Sequence, residues 1–81
     1  MPDKLFTVES LPKEDQVEIH LNDSGLNFFI EQLELLKKFK SSDHFHFFTS
    51  DFGGEELSNE KQNQDTSAIL VNHLKIFLWK E

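Results

Sequence analysis

The chain has no cysteine and no long apolar run, and these absences exclude several classes of protein. Without Cys among its 81 residues, neither a disulfide framework nor a thiolate metal site is available. The start, MPDKLFTVES, lacks a basic region followed by an apolar run, and no segment reaches the roughly 18 apolar residues of a membrane span. We therefore expect a cytoplasmic protein with no membrane partner.

Basic residues are also scarce. Eight Lys and Arg stand against fifteen Asp and Glu, a net charge of -7, which makes nucleic-acid binding improbable because such binders need basic patches. The acidic residues concentrate between Asp51 and Asp65, where Lys61 is the single base. This segment predicts either a solvated loop or a surface that attracts a basic protein partner.

The length sets the scale of the fold. A chain of 81 residues forms one domain over residues 1–81 and has little room for a large active-site cavity. Its hydrophobic fraction of 37%, with nine Phe, is enough for one packed core. We expect a small binding module without a cofactor, in which residues 1–15 form an edge strand or remain loosely ordered.

Apolar periodicity predicts the order β-β-α-β-β. The segments KLFTVES and QVEIHL are the first two strands, a helix runs from about Asp23 to Phe39, DHFHFFTS is the third strand, and an apolar strand extends from about Ala68 to Trp79. A helix crossover between the second and third strands leaves a gap that the fourth can fill. The predicted fold is therefore α+β, with one helix packed on one face of a four-stranded antiparallel sheet of order 1-2-4-3.

The helix carries two apolar stripes. The predicted core stripe follows the i, i+3, i+4, i+7 rule and consists of Leu26, Phe29, Ile30, Leu33 and Leu36. Phe28, Leu35 and Phe39 fall on the other side and need cover. That cover is either the N-terminal segment, through Leu5, Phe6 or Leu11, or a second protein chain, including a homodimer partner.

Alternation along the strands assigns side chains to two faces of the sheet. Residues expected to face the helix are Val17, Ile19, Leu21, Phe45, Phe47, Leu70, Leu74, Ile76 and Leu78. The opposite, open face then carries His20, His44, His46, Phe48, Val71, His73, Lys75, Phe77 and Trp79. All four histidines thus fall on one side, where His20, His44, His46 and His73 are candidate metal ligands or acid-base groups. The simpler interpretation is that these histidines stack beside aromatic rings without chemistry of their own.

Exposed aromatic residues favour a protein interface over a catalytic site. Phe48, Phe77 and Trp79 beside polar groups have the composition of interaction hot spots, and an acidic rim would steer a basic partner toward them. Gly53 and Gly54 shape the turn that follows the third strand. The predicted partner-binding residues are His44, His46, Phe48, Asp51, Glu55, Glu56, His73, Lys75, Phe77 and Trp79.

Several segments in order resemble the bacterial immunity protein 32 family, which protects cells against polymorphic toxins. They are VEIHL followed by GL, FFIEQLELL, HFHFF, GGEELS and HLKIFLW, and together they span about Val17 to Trp79. The resemblance implies a cytoplasmic antitoxin without enzymatic activity that blocks a cognate toxin. It carries over as structural or interface positions Gly25, His44, His46, Gly53, Gly54, Glu56, Leu57, His73, Lys75 and Trp79.

Three hypotheses follow. The first is a toxin-neutralising binding protein that uses the open face and the acidic segment. The second is a His-rich metal-binding protein or small enzyme, and the third is a homo-oligomeric structural or regulatory domain that pairs through Phe28, Leu35 and Phe39.

Overall fold

One helix and five strands make up the computed structural model of the protein, which describes residues 3–81. The elements are β1 (Phe6–Leu11), β2 (Gln16–Leu21), α1 (Asp23–Lys37), β3 (Asp43–Phe48), β4 (Ile69–Leu70) and β5 (His73–Leu78), with short 3-10 helices at Pro12–Glu14 and Ser50–Phe52. The α+β class with a single long helix is confirmed. Residues 1 and 2, which the predicted domain 1–81 includes, lie outside the described residues. Within residues 3–81, no helix is both long and apolar enough to cross a membrane.

The helix begins at Asp23, the predicted start. Asn22 is the N-cap, and its side-chain oxygen accepts the Gly25 N–H at 2.8 Å and the Leu5 N–H at 2.9 Å. Gly25 allows the helix to approach β1, because a Cβ at this position would collide with the carbonyl oxygen of Leu5. The helix ends at Lys37, two residues before the predicted end at Phe39.

The strand order differs from the prediction. The structure has a three-stranded antiparallel sheet of order β2-β1-β4 and a two-stranded antiparallel sheet, β3-β5, in place of one sheet of order 1-2-4-3. The expected edge strand is therefore wrong, since β1 lies between β2 and β4. Its alternating residues explain this central position: Phe6 and Val8 are buried in the core, and Thr7 and Glu9 are buried on the opposite face. A strand buried on both faces belongs inside a sheet.

The predicted last strand is interrupted at Val71 and Asn72. Val71 donates its N–H to the Val8 carbonyl at 2.8 Å, whereas the Asn72 carbonyl accepts the Thr49 N–H at 3.0 Å. The segment thus bonds β1 first and the β3 side next, which connects the two sheets. The interruption changes the alternation of side chains, so that Val71 packs in the core and Leu70 pairs beside Glu9. The predicted faces of Val71 and Leu70 are therefore wrong.

Phenylalanines dominate the core. Phe6, Val8, Phe47 and Leu57 form its buried centre, and the ring of Phe6 lies 4.8 Å from that of Phe29 and 5.8 Å from that of Phe47. Half-buried residues that pack against this centre are Leu21, Phe28, Phe29, Phe45, Val71, Leu74 and Ile76. Five of the predicted helix-facing side chains are thus in the core: Leu21, Phe45, Phe47, Leu74 and Ile76. Val17 and Ile19 lie on the same face as Val8 but are exposed.

The helix is rotated relative to the predicted stripe. Leu26, Ile30 and Leu33, expected in the core, are exposed, whereas Phe29 and Leu36 of the same stripe are in the core as predicted. From the second stripe, Phe28 packs on Phe6 and Phe39 packs on Phe45. The helix therefore buries a face between the two stripes, which places its aromatic side chains against the core and removes more apolar area from water. The expectation that the N-terminal segment covers Phe28 is confirmed by its contact with Phe6, whereas Leu35 remains exposed.

Candidate functional site

The outer side of the β3-β5 sheet, away from the helix, carries a row of aromatic and imidazole rings. Because Phe45 and Phe47 point into the core, the alternate residues of β3 point outward. The strand register sets His44 opposite Phe77, His46 opposite Lys75 and Phe48 opposite His73. We call this surface the open face; its members are His44, His46, Phe48, His73, Lys75, Phe77 and Trp79, as predicted.

The rings of the open face contact one another along its length. Phe48 stacks on His73 with centroids 4.3 Å apart, and His73 stacks on His46 at 5.0 Å. At the other end, Phe77 stacks parallel to Trp79 at 5.7 Å, and 75% of Trp79 is exposed. The rows of β3 and β5 therefore present a pre-formed aromatic surface to solvent.

Three histidines of this face interact directly. The Nε2 atoms of His44 and His46 are 3.1 Å apart, and His46 Nδ1 lies 2.8 Å from His73 Nε2. His46 thus directs its two ring nitrogens to two different neighbours, so the three rings do not offer one nitrogen each to a common point, as a metal centre requires. Among residues 3–81 no group of three or more His, Cys, Asp or Glu could hold a metal ion.

The environment of His46 disfavours its charged form. Partial desolvation by the packed rings lowers the pKa of His46 below the ordinary value, and the nearby side chains of His44, Lys75 and His73, which disfavour a further positive charge, lower it further. The imidazole at the centre of the open face therefore stays neutral to more acidic pH than an isolated histidine. A neutral ring suits stacking and desolvation by a partner.

His20 is separate from the other three histidines. It also lies opposite the helix side, but its Nε2 is 3.0 Å from Glu18 Oε1 and 3.5 Å from Glu9 Oε2. His20 therefore does not join the other three candidate histidines, because the carboxylates of β1 and β2 engage it. Hydrogen bonds from Asn63 and His20 lower the pKa of Glu18.

Residues 59–67 cover the outer side of β1. Glu9 is fully buried there and accepts the main-chain N–H groups of Gln62, at 2.8 Å, and Asn63, at 3.2 Å. Thr7 donates its hydroxyl to the Glu60 carbonyl at 3.0 Å. Every buried side-chain N and O atom in the described part of the chain has a partner. Sequence reasoning missed Glu9, whose one signal is a carboxylate inside the otherwise apolar and hydroxylic stretch LFTVES.

The acidic residues that follow β3 divide into two groups. Glu56 is committed to the fold, because its carboxylate accepts the Phe48 N–H at 3.0 Å and the Glu55 N–H at 3.3 Å. Asp51 and Glu55 are exposed. The turn between them has Gly53 at φ 86° and brings Gly54 against Phe48, where a Cβ would collide. Of the predicted acidic contact residues, Asp51 and Glu55 are thus exposed, and Glu55 lies beside Lys4 and Phe28.

The fold and this surface define a small α+β protein with an exposed aromatic face. No protein-family model matches the chain, and no curated protein or solved structure is significantly similar to it. The resemblance to the bacterial immunity protein 32 family stays a prediction.

Proposed function

We propose that this protein is a bacterial immunity protein that binds a cognate toxin domain through the open face and blocks the toxin's active surface. It acts in the cytoplasm, by binding and not by catalysis. The observation that carries the proposal is the stacked pair Phe77 and Trp79, of which Trp79 is 75% exposed and Phe77 46% exposed. Large exposed aromatic side chains are the residues that most often dominate binding energy.

The sheet prepares this surface for binding. Each buried aromatic side chain removes about 150–250 Å² from water, so the apolar gain on contact is large. Stacking already restricts the rings of Phe48, His73, Phe77 and Trp79, which reduces the conformational entropy that a partner must overcome. The open face therefore combines apolar area with a rigid arrangement.

Charge favours a basic partner. Asp51 and Glu55 are exposed in the segment that follows Phe48 and form an acidic rim, and the whole chain carries a net charge of -7. Lys75 is the one cation of the face, and its Nζ lies 4.9 Å from the centre of the Phe77 ring. A toxin with a basic active surface, such as one that acts on a phosphate-containing substrate, would be attracted to this acidic rim and held by the aromatic row.

The proposal requires a toxin gene adjacent to the gene for this protein, and the domain that it encodes is the test partner. Binding of the purified pair is measured by titration calorimetry for the unmodified chain and for Trp79→Ala, Phe77→Ala and Leu35→Ala. Trp79→Ala should raise the Kd about 30-fold or more, the effect of losing a hot-spot aromatic residue. Leu35→Ala is the matched control, because Leu35 is 47% exposed, close to the 46% of Phe77, but lies on α1 outside the open face.

Two results decide against the proposal. Equal affinity for Trp79→Ala, Phe77→Ala and the unmodified chain would exclude the open face as the contact surface. Failure of the unmodified chain to protect growing cells from that toxin would exclude the immunity function itself.

A further inference from the structure

β2 is an unprotected sheet edge. It lies at the end of the order β2-β1-β4, and its sequence, QVEIHL, contains no Lys, Pro or Gly, the residues that commonly protect such an edge from pairing. Its register with β1 is regular from Gln16 to Leu21, without a bulge. An edge with these properties is a template for an additional strand.

The directions of the N–H and C=O groups of β2 follow from its hydrogen bonds to β1. Asn22 donates its N–H to the Leu5 carbonyl, so it bonds toward β1. Bonding residues alternate along an antiparallel ladder, and therefore Glu18 and His20 also bond toward β1. The N–H and C=O groups of Val17, Ile19 and Leu21 consequently point away from the sheet, toward the free edge.

The edge is complementary to a second copy of itself. When two β2 strands pair antiparallel about Ile19, Ile19 meets Ile19 of the second copy, and Val17 meets Leu21. The same register sets Glu18 opposite His20, in a non-hydrogen-bonded pair whose Cα atoms are about 4.5 Å apart and whose side chains are close. A shift by two residues would instead oppose Glu18 to Glu18, or His20 to His20, so charge selects one register.

Exposed apolar side chains flank this edge on the helix side. Val17 is 65% exposed and Ile19 45% exposed, although both lie on the same face as the core residue Val8. Leu26, Ile30 and Leu33 form an exposed stripe on one flank of α1, whereas Phe28, near Lys4 and Glu55, occupies the other flank. Phe28 packs on Phe47 of β3, and Phe39 packs on Phe45 of the same strand. Since α1 contacts both β2 and β3, the opposite flank, which carries the stripe of Leu26, Ile30 and Leu33, faces the β2 side.

We propose that two copies of the chain associate through β2 to form a symmetric dimer with a continuous six-stranded sheet. The two-fold axis passes through Ile19 perpendicular to the sheet, so both helices lie on the same side. Their Leu26, Ile30 and Leu33 stripes then cover Val17 and Ile19 at the centre. Such a contact uses the same patch on both copies and closes after two. The proposal is independent of the toxin-binding function, which uses the open face.

Sedimentation velocity over a concentration series tests the proposal. The unmodified chain should sediment at twice its 9.5 kDa mass, and Ile19→Lys, which sets two ammonium groups against each other on the axis, should sediment at 9.5 kDa. Leu35→Lys is the matched control, because Leu35 is 47% exposed, close to the 45% of Ile19, but lies off the stripe. It should remain dimeric. Circular dichroism establishes that each variant is folded.

Cysteine trapping gives a second measurement if Ile19→Lys does not fold. The chain has no native Cys, so Ile19→Cys offers one thiol per copy, and hydrogen-bonded antiparallel pairs have Cα atoms about 5.5 Å apart, within disulfide range. Mild oxidation should yield a covalent dimer of Ile19→Cys and leave Leu35→Cys largely monomeric.

Three outcomes would overturn the proposal. One is an unmodified chain that remains monomeric at millimolar concentration. Another is an Ile19→Lys variant that remains dimeric, which would place the contact elsewhere. The third is a monomeric chain whose toxin binding is lost in Ile19→Lys, which would assign this edge to the toxin.

Discussion

The outer side of the protein has two halves that differ in what covers their polar groups. On β1 and β2, residues 59–67 fold over the sheet, and the carboxylate of Glu9 is fully buried with main-chain N–H groups as partners. On β3 and β5, nothing among residues 3–81 covers Trp79, and the histidines bond to one another. The outer side of β1 and β2 is thus part of the folded interior, because a loop covers it, whereas the outer side of β3 and β5 is exposed to solvent.

The difference depends on hydrogen-bond geometry more than on composition. Each half contains titratable residues that alternate with core residues, such as Glu9 beside Val8 and His46 beside Phe47. Glu9 has only acceptor oxygens, which anchor the N–H groups of an incoming loop. His46, with one donor and one acceptor nitrogen when neutral, satisfies both on its ring neighbours and needs no loop.

The largest expected effect is on the free energy of unfolding, which should depend strongly on the core side of β3 and little on its open side. Phe47→Ala should reduce the free energy of unfolding by about 4 kcal/mol, because it removes a buried aromatic side chain and leaves a cavity. His46→Ala, one residue earlier on the outer side, should leave the urea midpoint close to that of the unmodified chain. Urea denaturation checks both variants, and similar losses would show that the open face stabilises the fold.

The covered half should respond to loss of its anchor. Glu9→Ala leaves the N–H groups of Gln62 and Asn63 without an acceptor, and we expect a loss of about 3 kcal/mol in unfolding free energy. Limited proteolysis should then cleave within residues 59–67. Glu14→Ala, an exposed carboxylate outside this contact, is the control and should change neither readout. Protection from protease in Glu9→Ala would contradict the anchoring role.

The smallest effect concerns the pKa of His46 in the open half. Lys75→Gln removes one of the cations that lower this pKa, so the His46 pKa should rise toward 6.5. NMR titration of the imidazole protons measures the change. Lys61→Gln, in the segment that covers the other half, is the control, and equal shifts in both variants would contradict a local effect.

The sign of the linked stability change follows from that pKa. A lowered folded-state pKa means that the unfolded chain takes up the proton first as the pH falls below about 6.5. Above this pH, protonation of His46 contributes nothing to the free energy of unfolding. As the pH falls from the unfolded-state pKa to the folded-state pKa, it lowers the free energy of unfolding progressively. Unfolding midpoints of the unmodified chain should thus decrease more on acidification through this window than those of His46→Gln.

Local patterns predicted the elements that depend on neighbouring residues. Helical periodicity predicted the start of α1 near Asp23. Strict alternation in QVEIHL and DHFHFF predicted β2, β3 and the outward direction of His44, His46 and Phe48. They could not rank the two apolar stripes of the helix, since Leu26, Ile30 and Leu33 fit the same period as Phe28 and Phe39. Phe28 and Phe39 are in the core because they pack against Phe6 and Phe45.

The position of β1 and the docking of residues 59–67 depend on contacts between distant parts of the chain. The Glu9 carboxylate accepts the N–H of Gln62, which is 53 residues away in the sequence. The Phe6 carbonyl accepts the N–H of Ser58, which is separated from it by a similar stretch of chain. No periodicity in LFTVES or NEKQNQD indicates these partners. Likewise, the interruption at Val71 arises because that segment bonds β1 and then the β3 side, which alternation within one strand does not reveal.

The sequence by itself thus determined the α+β class, the helix, and the row of histidines and aromatics on one side of β3 and β5. These features follow from side-chain period and capping, which act within a few residues. Only the tertiary structure decided that β1 is central, that Phe28 packs against the core while Leu26 is exposed, and that Glu9 anchors the segment that closes one half of the outer face. Those outcomes depend on the free energy of burying apolar surface. That burial involves residues that are far apart in the sequence and come into contact only when the chain folds.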